Sequence, residues 1–360
     1  MAERLDTFDP DDVGLANGHL FGLPFLPGET DVVILPVPWE ATVSYRDGTA
    51  LRPRAVLAAS PQLDFYDPLV PDAWKLGPAM LPISTEWEEQ NSRIRGKASA
   101  CINLQEHGAL PDNPAVLQLA QAVNGASAQL NEGVYTRALE WLAKGKTVGV
   151  LGGDHSTPLG LIQALGSQHP EGFGILQLDA HADLRPGYEG FTYSHASIMH
   201  HALQVPQVQQ LTQVGIRDVS GGEMAVVAAS EGRIRCHSMR SLRSAQFAGA
   251  RWAEQVAEIV QGLPEKVYIS FDIDALDPAL CPHTGTPVPD GLRWEEAFYL
   301  LEQVVQSGRR IIGFDLCEVA PDPDTHSEWD AIVGARALWR LSLLPPLAAR
   351  RKPLCPFSLS

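Results

Sequence analysis

The sequence predicts an α/β fold with three layers, in which helices cover both faces of a central, mainly parallel sheet. Three observations predict it. Apolar runs of strand length follow one another along the chain, helix-length amphipathic segments separate them, and four of the runs end in acids or histidines. Strands that are apolar throughout are typical of a parallel sheet buried on both sides, and ligands bind outside the carboxyl ends of such strands.

Six apolar runs predict the strands of this sheet. They are DVVILPVP at 31–38, TVGVL at 147–151, FGILQLD at 173–179, LTQVGIRD at 211–218, KVYISFDID at 266–274 and RIIGFDL at 310–316. Apolar residues at helical spacing predict helices over 116–142, 247–262 and 292–308. The alternation of the two kinds of element indicates parallel strands joined by helices.

Residues 31–345 are expected to form a single domain, which an irregular arm at 1–30 precedes and a tail at 346–360 follows. Between residues 66 and 115 the apolar residues are irregularly spaced among repeated prolines. This segment is too apolar for a free linker, so we expect an insertion packed on the surface of the domain.

The composition is that of a folded globular protein, with 45% hydrophobic and 19% charged residues. A net charge of −16 argues against a nucleic-acid partner, because binding to phosphates relies on clustered Lys and Arg. The acidic first residues carry no apolar signal segment, and no apolar run is long enough to span a membrane. Five scattered cysteines predict neither a disulfide framework nor a thiolate zinc site, so we expect a cytoplasmic protein that binds no membrane.

Polar side chains end four of the predicted strands. In chain order they are Asp154 and His155; Asp179, His181 and Asp183; Asp272, Asp274 and Asp277; and Asp315 and Glu318. Carboxylates gathered at one edge of a sheet would raise one another's pKa and take up protons unless cations compensate them. Divalent metal ions hold such carboxylates in the ionised form.

Carboxylates with two imidazoles and no thiolate favour Mn²⁺, with Fe²⁺, Co²⁺, Ni²⁺ or Zn²⁺ as substitutes. A set of about six ligands predicts two ions, which at a separation of about 3.5 to 4 Å make hydroxide available near neutral pH. A single aspartate at a strand end is most often a cap or turn former, and we expect that role for Asp154, Asp277 and Asp315.

Four segments resemble the motifs of the ureohydrolase superfamily, which includes arginase, agmatinase and formiminoglutamase. They are GGDHS at 152–156, DAHAD at 179–183, SFDIDALDP at 270–278 and TGTP at 284–287. The resemblance extends over roughly residues 31–345. It implies a three-layer α/β fold, a binuclear manganese centre, hydrolysis of a guanidinium group to urea and an amine, and assembly into trimers or hexamers.

The resemblance also implies roles for individual residues. One metal would be held by His155, Asp179, Asp183 and Asp272, and the other by His181, Asp179, Asp272 and Asp274. His195 is expected to give a proton to the departing amine, Glu318 to pair with the guanidinium, and Thr286 to lie beside Glu318. Asp183 counts with His195 and Glu318 among the expected catalytic residues.

Two positions depart from the arginase pattern, which places an asparagine at Arg185 and an aspartate at Ser220. Arginine is therefore a less favoured substrate. The run DLRPGYEGFTYSHAS is similar to that of some agmatinases, so we expect hydrolysis of agmatine to putrescine. A smaller or acidic guanidino compound remains the alternative, namely guanidine, guanidinobutyrate, guanidinopropionate or arginine. Arg185 can pair with the carboxylate of an acidic one. His283 and the insertion at 66–115 are expected to shape the mouth of the pocket, and Ser220 is an expected substrate-binding residue.

A non-enzymatic alternative is a metal-binding scaffold that has lost catalysis and serves as a partner-binding subunit. Retention of all six expected metal ligands together with His195 and Glu318 argues against it.

Overall fold

The computed structural model describes residue 5, residues 7–67, residue 70, and residues 72–322 and 327–349. Its strands are β1 (Val32–Pro36), β2 (Ala79–Met80), β3 (Thr147–Leu151), β4 (Phe173–Leu178), β5 (Val208–Val214), β6 (Ile234–His237), β7 (Lys266–Asp272) and β8 (Arg310–Cys317). Its α-helices are α1 (Arg52–Ala59), α2 (Thr85–Glu106), α3 (Pro114–Leu142), α4 (Leu159–Gln168), α5 (Ile198–Ala202), α6 (Gly221–Ala229), α7 (Met239–Phe247), α8 (Trp252–Gln261), α9 (Trp294–Gln306) and α10 (Trp329–Ala349).

These strands form one sheet in the order β2-β1-β3-β8-β7-β4-β5-β6, and every neighbouring pair is parallel. Leu151 of β3 lies opposite Leu316 of β8, and Leu178 of β4 lies opposite Phe271 of β7. The four central strands therefore end at the same level. The residues that follow them are delivered to one edge of the sheet.

Helices cover both faces of the sheet because alternate strand residues point to opposite sides. In β7, Val267, Ile269 and Phe271 belong to one apolar cluster, which α8, α9 and α10 complete. Tyr268 belongs to a second cluster, which α3, α4 and α5 complete. This three-layer arrangement confirms the predicted α/β fold class.

The segment 66–115 is more regular than its sequence indicates. It contains the edge strand β2 and the 22-residue helix α2, which packs on α3. The Ser84 side chain caps α2 by accepting a hydrogen bond from the Trp87 N–H. Most positions of α2 are polar, and only a few, such as Ala98, Cys101 and Ile102, are buried. This sparse apolar spacing explains why the sequence did not predict the helix.

The predicted boundaries at the two ends also differ from the structure. Helix α10 continues to Ala349, so it extends into the tail predicted from 346, and residues 350–360 lie outside the described residues. Within residues 7–30 of the arm, the regular structure is a 3-10 turn at Leu20–Gly22, and Leu20, Phe21 and Leu23 are buried in the first cluster. Residues 1–4 and 6 of the arm also lie outside the described residues.

Strand β6 and helix α7 were not predicted, and β6 is a short, half-buried edge strand without a continuous apolar run. Within the described parts of the chain, no helix has the length and apolar character needed to cross a membrane.

Candidate metal centre and substrate cavity

Two adjacent glycines let the chain turn sharply after β3. A Cβ atom on Gly153 would lie 1.7 Å from the Trp39 carbonyl oxygen, so a larger residue does not fit there. The Asp154 N–H donates to the same carbonyl at 2.8 Å. The turn is therefore closed against the loop after β1, and it places His155 at the end of the sheet.

Asp154 has the turn-forming role that the sequence predicts. Its carboxylate accepts hydrogen bonds from the Thr42 N–H at 3.2 Å, the Thr42 hydroxyl at 2.9 Å and the Ser156 N–H at 3.1 Å. Asp277 likewise accepts from the Ala279 N–H at 2.9 Å. Both predictions are confirmed.

Asp315 has a different role from the turn former that was predicted. It lies inside β8 and is fully buried, and its carboxylate accepts from the Tyr268 hydroxyl at 2.6 Å and the Phe271 N–H at 3.2 Å. It binds β7 to β8 below the candidate metal centre. The sequence prediction was wrong because the strand continues two residues beyond Asp315.

His155 faces three carboxylates. Its Nδ1 lies 3.0 Å from Asp179 Oδ2, 3.0 Å from Asp183 Oδ2 and 3.3 Å from Asp272 Oδ2. Its Nε2 lies 2.9 Å from the Ser270 hydroxyl, which fixes the ring with Nδ1 toward the acids. We call His155, Asp179, Asp183 and Asp272 the His155 group.

A second cluster shares Asp179. His181 Nδ1 lies 3.0 Å from Asp274 Oδ2 and 3.6 Å from Asp179 Oδ1. The other oxygen of Asp274 accepts from the Ala180 N–H at 3.0 Å, and the Asp274 N–H donates to Asp272 at 2.9 Å. We call Asp179, His181 and Asp274 the His181 group. The structure thus brings all six expected ligands together at one edge of the sheet.

The donor atoms fit divalent cations. Two triads have suitable spacing: one consists of His155, Asp179 and Asp272, and the other is the His181 group. In each triad, one ligand atom from each residue lies within 4.8 Å of the ligand atoms of the other two. His155 Nδ1 and Asp274 Oδ2 are buried and have no hydrogen-bond partner. Buried polar atoms normally have hydrogen-bond partners, so both atoms fit the role of metal ligands. Imidazole and carboxylate donors suit manganese and its neighbours in the transition series.

A third triad, His155 with Asp315 and Cys317, has a similar spacing. Its donors already have partners: Ser270 at His155 Nε2, Tyr268 at Asp315 and Thr157 at the Cys317 thiol. Because its donors are already hydrogen-bonded, this triad is a layer of packed polar side chains beneath the candidate metal centre.

The carboxylates of this region repel one another in the absence of cations. Burial, together with the charge of Asp179, raises the pKa of Asp183 to about 7. Burial, together with the charge of Asp154, raises the pKa of Glu318 to about 8. Burial lowers the pKa of His155, but its interactions with the nearby carboxylates of Asp179 and Asp183 outweigh burial and hold that pKa well above its ordinary value. The raised pKa values of the acids show that this cluster of carboxylates needs compensating positive charge.

Asp183 and Glu318 both have left-handed backbone conformations, with φ of 54° and 65°. Such a conformation costs a non-glycine residue about 1 to 3 kcal/mol and clusters at functional sites. The surrounding structure holds both residues in place. The Asp183 carbonyl accepts from the Met199 N–H, and the Glu318 N–H donates to the Gly153 carbonyl at 3.0 Å.

Glu318 lies directly behind His155. Its Oε1 accepts from the His155 N–H at 2.8 Å. A Cβ atom on Gly285 would lie 3.0 Å from Glu318 Oε2, so the Glu318 carboxylate faces the TGTP loop that carries Thr286. The structure therefore places Glu318 beside that loop, as the resemblance implies.

The sequence did not point to Arg52, which is fully buried behind these two turns. Its guanidinium donates to the carbonyl oxygens of Leu316, Val319 at 3.2 Å and Gly153 at 3.1 Å. An arginine before a proline at a helix start has no local pattern that distinguishes it from a surface residue.

A cavity of about 170 Å³ opens above the candidate centre. It is lined by Ser44, His181, Asp183, Arg185, Tyr188, His195, Ala196, Asp218, Val219, Glu223 and Thr286. Five of these were predicted site residues: His181, Asp183, Arg185, His195 and Thr286. The acids Asp218 and Glu223 were not predicted: Asp218 ends the run LTQVGIRD but was not counted among the strand-end acids, and Glu223 lies on a helix.

His195 has one polar and one aromatic neighbour at this cavity. Its backbone N–H donates to the Thr42 hydroxyl at 3.1 Å, and its ring meets the Tyr188 ring edge-on, with 6.1 Å between the ring centroids. Burial lowers the pKa of His195 to about 4, against the opposing charge of Asp154. The imidazole is therefore neutral at neutral pH and can accept a proton and return it.

Arg185 already has partners. Its Nε lies 3.6 Å from Glu223 Oε2, and its guanidinium lies over the Tyr188 ring, 4.9 Å from the centroid. The positive charge that Arg185 brings to the cavity is thus offset by a neighbouring acid.

Ser220 and His283 are not among the residues that line the cavity. The Ser220 hydroxyl caps α6 by accepting from the Glu223 N–H and donating to the Glu223 carboxylate at 2.7 Å. His283 Nδ1 lies 2.8 Å from Asp330 Oδ2. The structure does not bring these two side chains to the substrate cavity: one orients Glu223, and the other ties a loop to α10.

Comparisons with known proteins agree with this geometry. A model of the arginase family matches residues 30–343. The chain is 32% identical to the N(1)-aminopropylagmatine ureohydrolase of Thermus thermophilus, over 84% of this chain and 87% of that protein. It is 29% identical to the agmatinase of Photorhabdus laumondii, over 88% of each chain. The crystal structure of agmatine ureohydrolase of Thermoplasma volcanium has the same fold, with a TM-score of 0.68, 21% identity, and coverage of 97% of this chain and 99% of that one.

Proposed function

Because this chain belongs to the arginase family and is a hydrolase of guanidino C–N bonds, we propose that its substrate carries an amine at the end remote from the guanidinium. The simplest such substrate is agmatine, which would be cleaved to urea and putrescine. The relatives named agmatinase and N(1)-aminopropylagmatine ureohydrolase support this substrate class.

The charge of the cavity is the observation that carries this proposal. Apart from the expected metal ligands, the cavity wall contains the acids Asp218 and Glu223 and the single cation Arg185. Glu223 offsets Arg185, and no cation among the described residues pairs with Asp218. An ammonium group is therefore favoured over the carboxylate of guanidinobutyrate or arginine.

Aminopropylagmatine is the second candidate. Four of the relatives bear that name and are 28% to 32% identical to this chain. A second nitrogen in the substrate tail would be favoured by the exposed Asp218 at the rim of the cavity.

We further propose that the His155 group and the His181 group, with Asp272 shared between them, hold two Mn²⁺ ions. Ni²⁺, Co²⁺ and Fe²⁺ have the same ligand preferences and are the alternatives. When bound, the two ions supply Lewis acidity and a water molecule whose pKa is near neutral.

The chain's own residues then orient the substrate and move a proton. We propose that the Glu318 carboxylate pairs with the planar guanidinium, whose positive charge lowers the raised pKa of Glu318. This contact holds the reacting carbon in position for attack. The neutral imidazole of His195 would accept a proton from the attacking water and give it to the nitrogen that leaves, so that a neutral amine departs as the C–N bond breaks.

A urea-release assay on manganese-loaded protein tests the substrate. The panel contains agmatine, aminopropylagmatine, arginine, guanidine, guanidinobutyrate and guanidinopropionate. We expect kcat/KM for the two amine-tailed compounds to exceed that for the carboxylate-tailed ones by about tenfold or more, which corresponds to about 1.4 kcal/mol.

A higher kcat/KM for guanidinobutyrate or guanidinopropionate would instead assign Arg185 to a substrate carboxylate. No urea release from any compound, with two metal ions measured per chain, would favour the inactive scaffold.

The proposal includes a homo-oligomer, trimer or hexamer, in the reducing cytoplasm. The described cysteines Cys101, Cys236, Cys281 and Cys317 are free, which suits a reducing compartment. Sedimentation analysis measures the assembly, and fractionation of cells measures the location.

A further inference from the structure

The loop formed by residues 40–48 contributes to the substrate cavity. Ser44 lines the cavity directly. Thr42 accepts a hydrogen bond from the His195 N–H and donates one to Asp154, so it joins the expected proton donor to the turn after β3. The position of this loop therefore affects both the cavity wall and the support of His195.

The base of loop 40–48 is closed by its own residues. Glu40 Oε2 accepts from the Gly48 N–H at 2.6 Å and from the Ala50 N–H at 3.1 Å. The tip has less support, because residues 45–47 are exposed. There the Arg46 guanidinium donates to the Pro282 carbonyl at 2.9 Å.

Helix α2 holds the same loop from the side. The Arg95 guanidinium donates to the carbonyls of Ala41, at 3.3 Å, and Val43, and its Nε donates to the Asp47 carboxylate at 3.0 Å. One turn earlier on α2, Asn91 accepts from the N–H of Glu40 at 2.8 Å.

The burial of these contacts makes them effective. The Arg95 side chain is only 15% exposed, whereas its partner Asp47 is 62% exposed. A planar guanidinium that donates to two carbonyls and a carboxylate holds three points of a loop in one geometry. A lysine at this position would keep the positive charge but would lack the planar guanidinium that donates to all three groups.

We propose that Arg95 is a positioning residue for the substrate cavity, which acts by clamping loop 40–48 onto α2. The expected effect of Arg95 on turnover rests on the proposed function. The clamp itself rests on the loop contacts alone. It assigns a role to the segment 66–115, since α2 is the helix that this segment contributes.

The kinetic test compares Arg95→Ala, Arg95→Lys and the control Glu88→Gln in the metal-loaded enzyme. Glu88 lies two turns before Arg95 on α2 and forms an ion pair with Arg54, at 2.6 Å, which does not involve the loop. Releasing the loop lowers the fraction of molecules competent to bind, so KM for the preferred panel compound should rise in Arg95→Ala by about fivefold or more. We expect kcat to change by less than about threefold, Arg95→Lys to be intermediate, and Glu88→Gln to match the wild type.

A second readout does not depend on turnover. Arg46 is exposed in the loop, so trypsin cleavage after Arg46, followed by mass spectrometry, reports loop opening. We expect Arg95→Ala to be cut there at least about fivefold faster than the wild type and Glu88→Gln at the wild-type rate, with two metal ions per chain and an unchanged melting temperature in each protein.

Equal cleavage rates after Arg46 in Arg95→Ala and the wild type would contradict the proposed clamp. Equal changes of the cleavage rate in Arg95→Ala and Glu88→Gln would contradict it as well. Faster cleavage with an unchanged KM would overturn the positioning role. An inactive wild type would contradict the proposed function instead, and the cleavage rates would still decide for or against the clamp.

Discussion

At the scale of single residues, two buried glutamines show how the site orders its own ligands. Gln177 in β4 donates to Asp179 Oδ2 at 2.7 Å, and Gln213 in β5 donates to the Gln177 side-chain oxygen at 2.7 Å. Both glutamines are fully buried in the sheet. Polar side chains in such strands are costly unless they are hydrogen-bonded, so their presence here serves to orient the carboxylate of Asp179.

His195→Ala tests the expected proton donor. The variant should keep both metal ions, because His195 belongs to neither ligand group, while kcat falls by about 100-fold or more. Metal analysis and the urea assay measure the two quantities. His200→Ala, at a half-buried histidine in α5, is the matched control and should leave kcat unchanged. Loss of metal from His195→Ala would show that the residue acts on the metal centre.

At the scale of elements, the hairpin of α2 and α3 also supports the loop that carries Tyr188 and His195. The Asn124 side chain of α3 donates to the Gly190 carbonyl at 3.0 Å and accepts from the Thr192 N–H at 2.8 Å. Phe191 is fully buried between the two helices, against Ala98 and Val123 among others. The hairpin thus anchors the second loop of the cavity through an apolar side chain, and loop 40–48 through an arginine.

Phe191→Ala measures this anchor. Truncating a fully buried phenylalanine should lower the free energy of unfolding by about 3 to 5 kcal/mol, and the loosened loop should raise KM in the urea assay. Denaturant unfolding gives the first quantity. Phe191→Leu retains most of the apolar contact and should lose less than half as much. Equal losses in the two variants would contradict the anchoring role.

At the scale of the whole molecule, the carboxyl ends of the central strands gather buried acids that need cations to compensate their charge. The carboxylates of Asp179, Asp183, Asp272 and Asp274 are all nearly inaccessible to solvent, within a chain whose net charge is already −16. A cation that binds the folded chain and not the unfolded chain stabilises the fold by mass action. The stability of the protein should therefore depend on metal.

Removal of metal should lower the melting temperature. Chelation of ions present at about 100 times their dissociation constant removes about 2.7 kcal/mol, which shifts the melting temperature of a chain of this size by at least a few degrees. Calorimetry before and after dialysis against a chelator measures the shift, and adding Mn²⁺ back should reverse it. An unchanged melting temperature would show that the six residues do not bind metal tightly in the folded state.

The sequence predicted the central strands closely and the surface elements less well. Strand β3 was predicted with the observed bounds, and β4 and β7 to within two residues at either end, because each is a continuous apolar run. Helix α2 and the edge strands β2 and β6 were not predicted. Their stability comes from packing against and pairing with neighbouring elements. The spacing of apolar residues within one segment does not show such contacts.

By itself, the sequence determined the α/β class, the family and the hydrolysis of guanidino C–N bonds. The α/β class followed from apolar strands that alternate with helices, and the family and its reaction from the resemblance of four motifs at 152–156, 179–183, 270–278 and 284–287. The geometry of a parallel sheet gathers the acids and histidines of the first three motifs at one edge. The tertiary structure decided what lies around that edge. It paired Arg185 with Glu223, brought Asp218 into the cavity wall, and used Ser220 and His283 for capping and loop contacts instead. These outcomes depend on contacts between segments far apart in the chain, so no local pattern of residues specifies them.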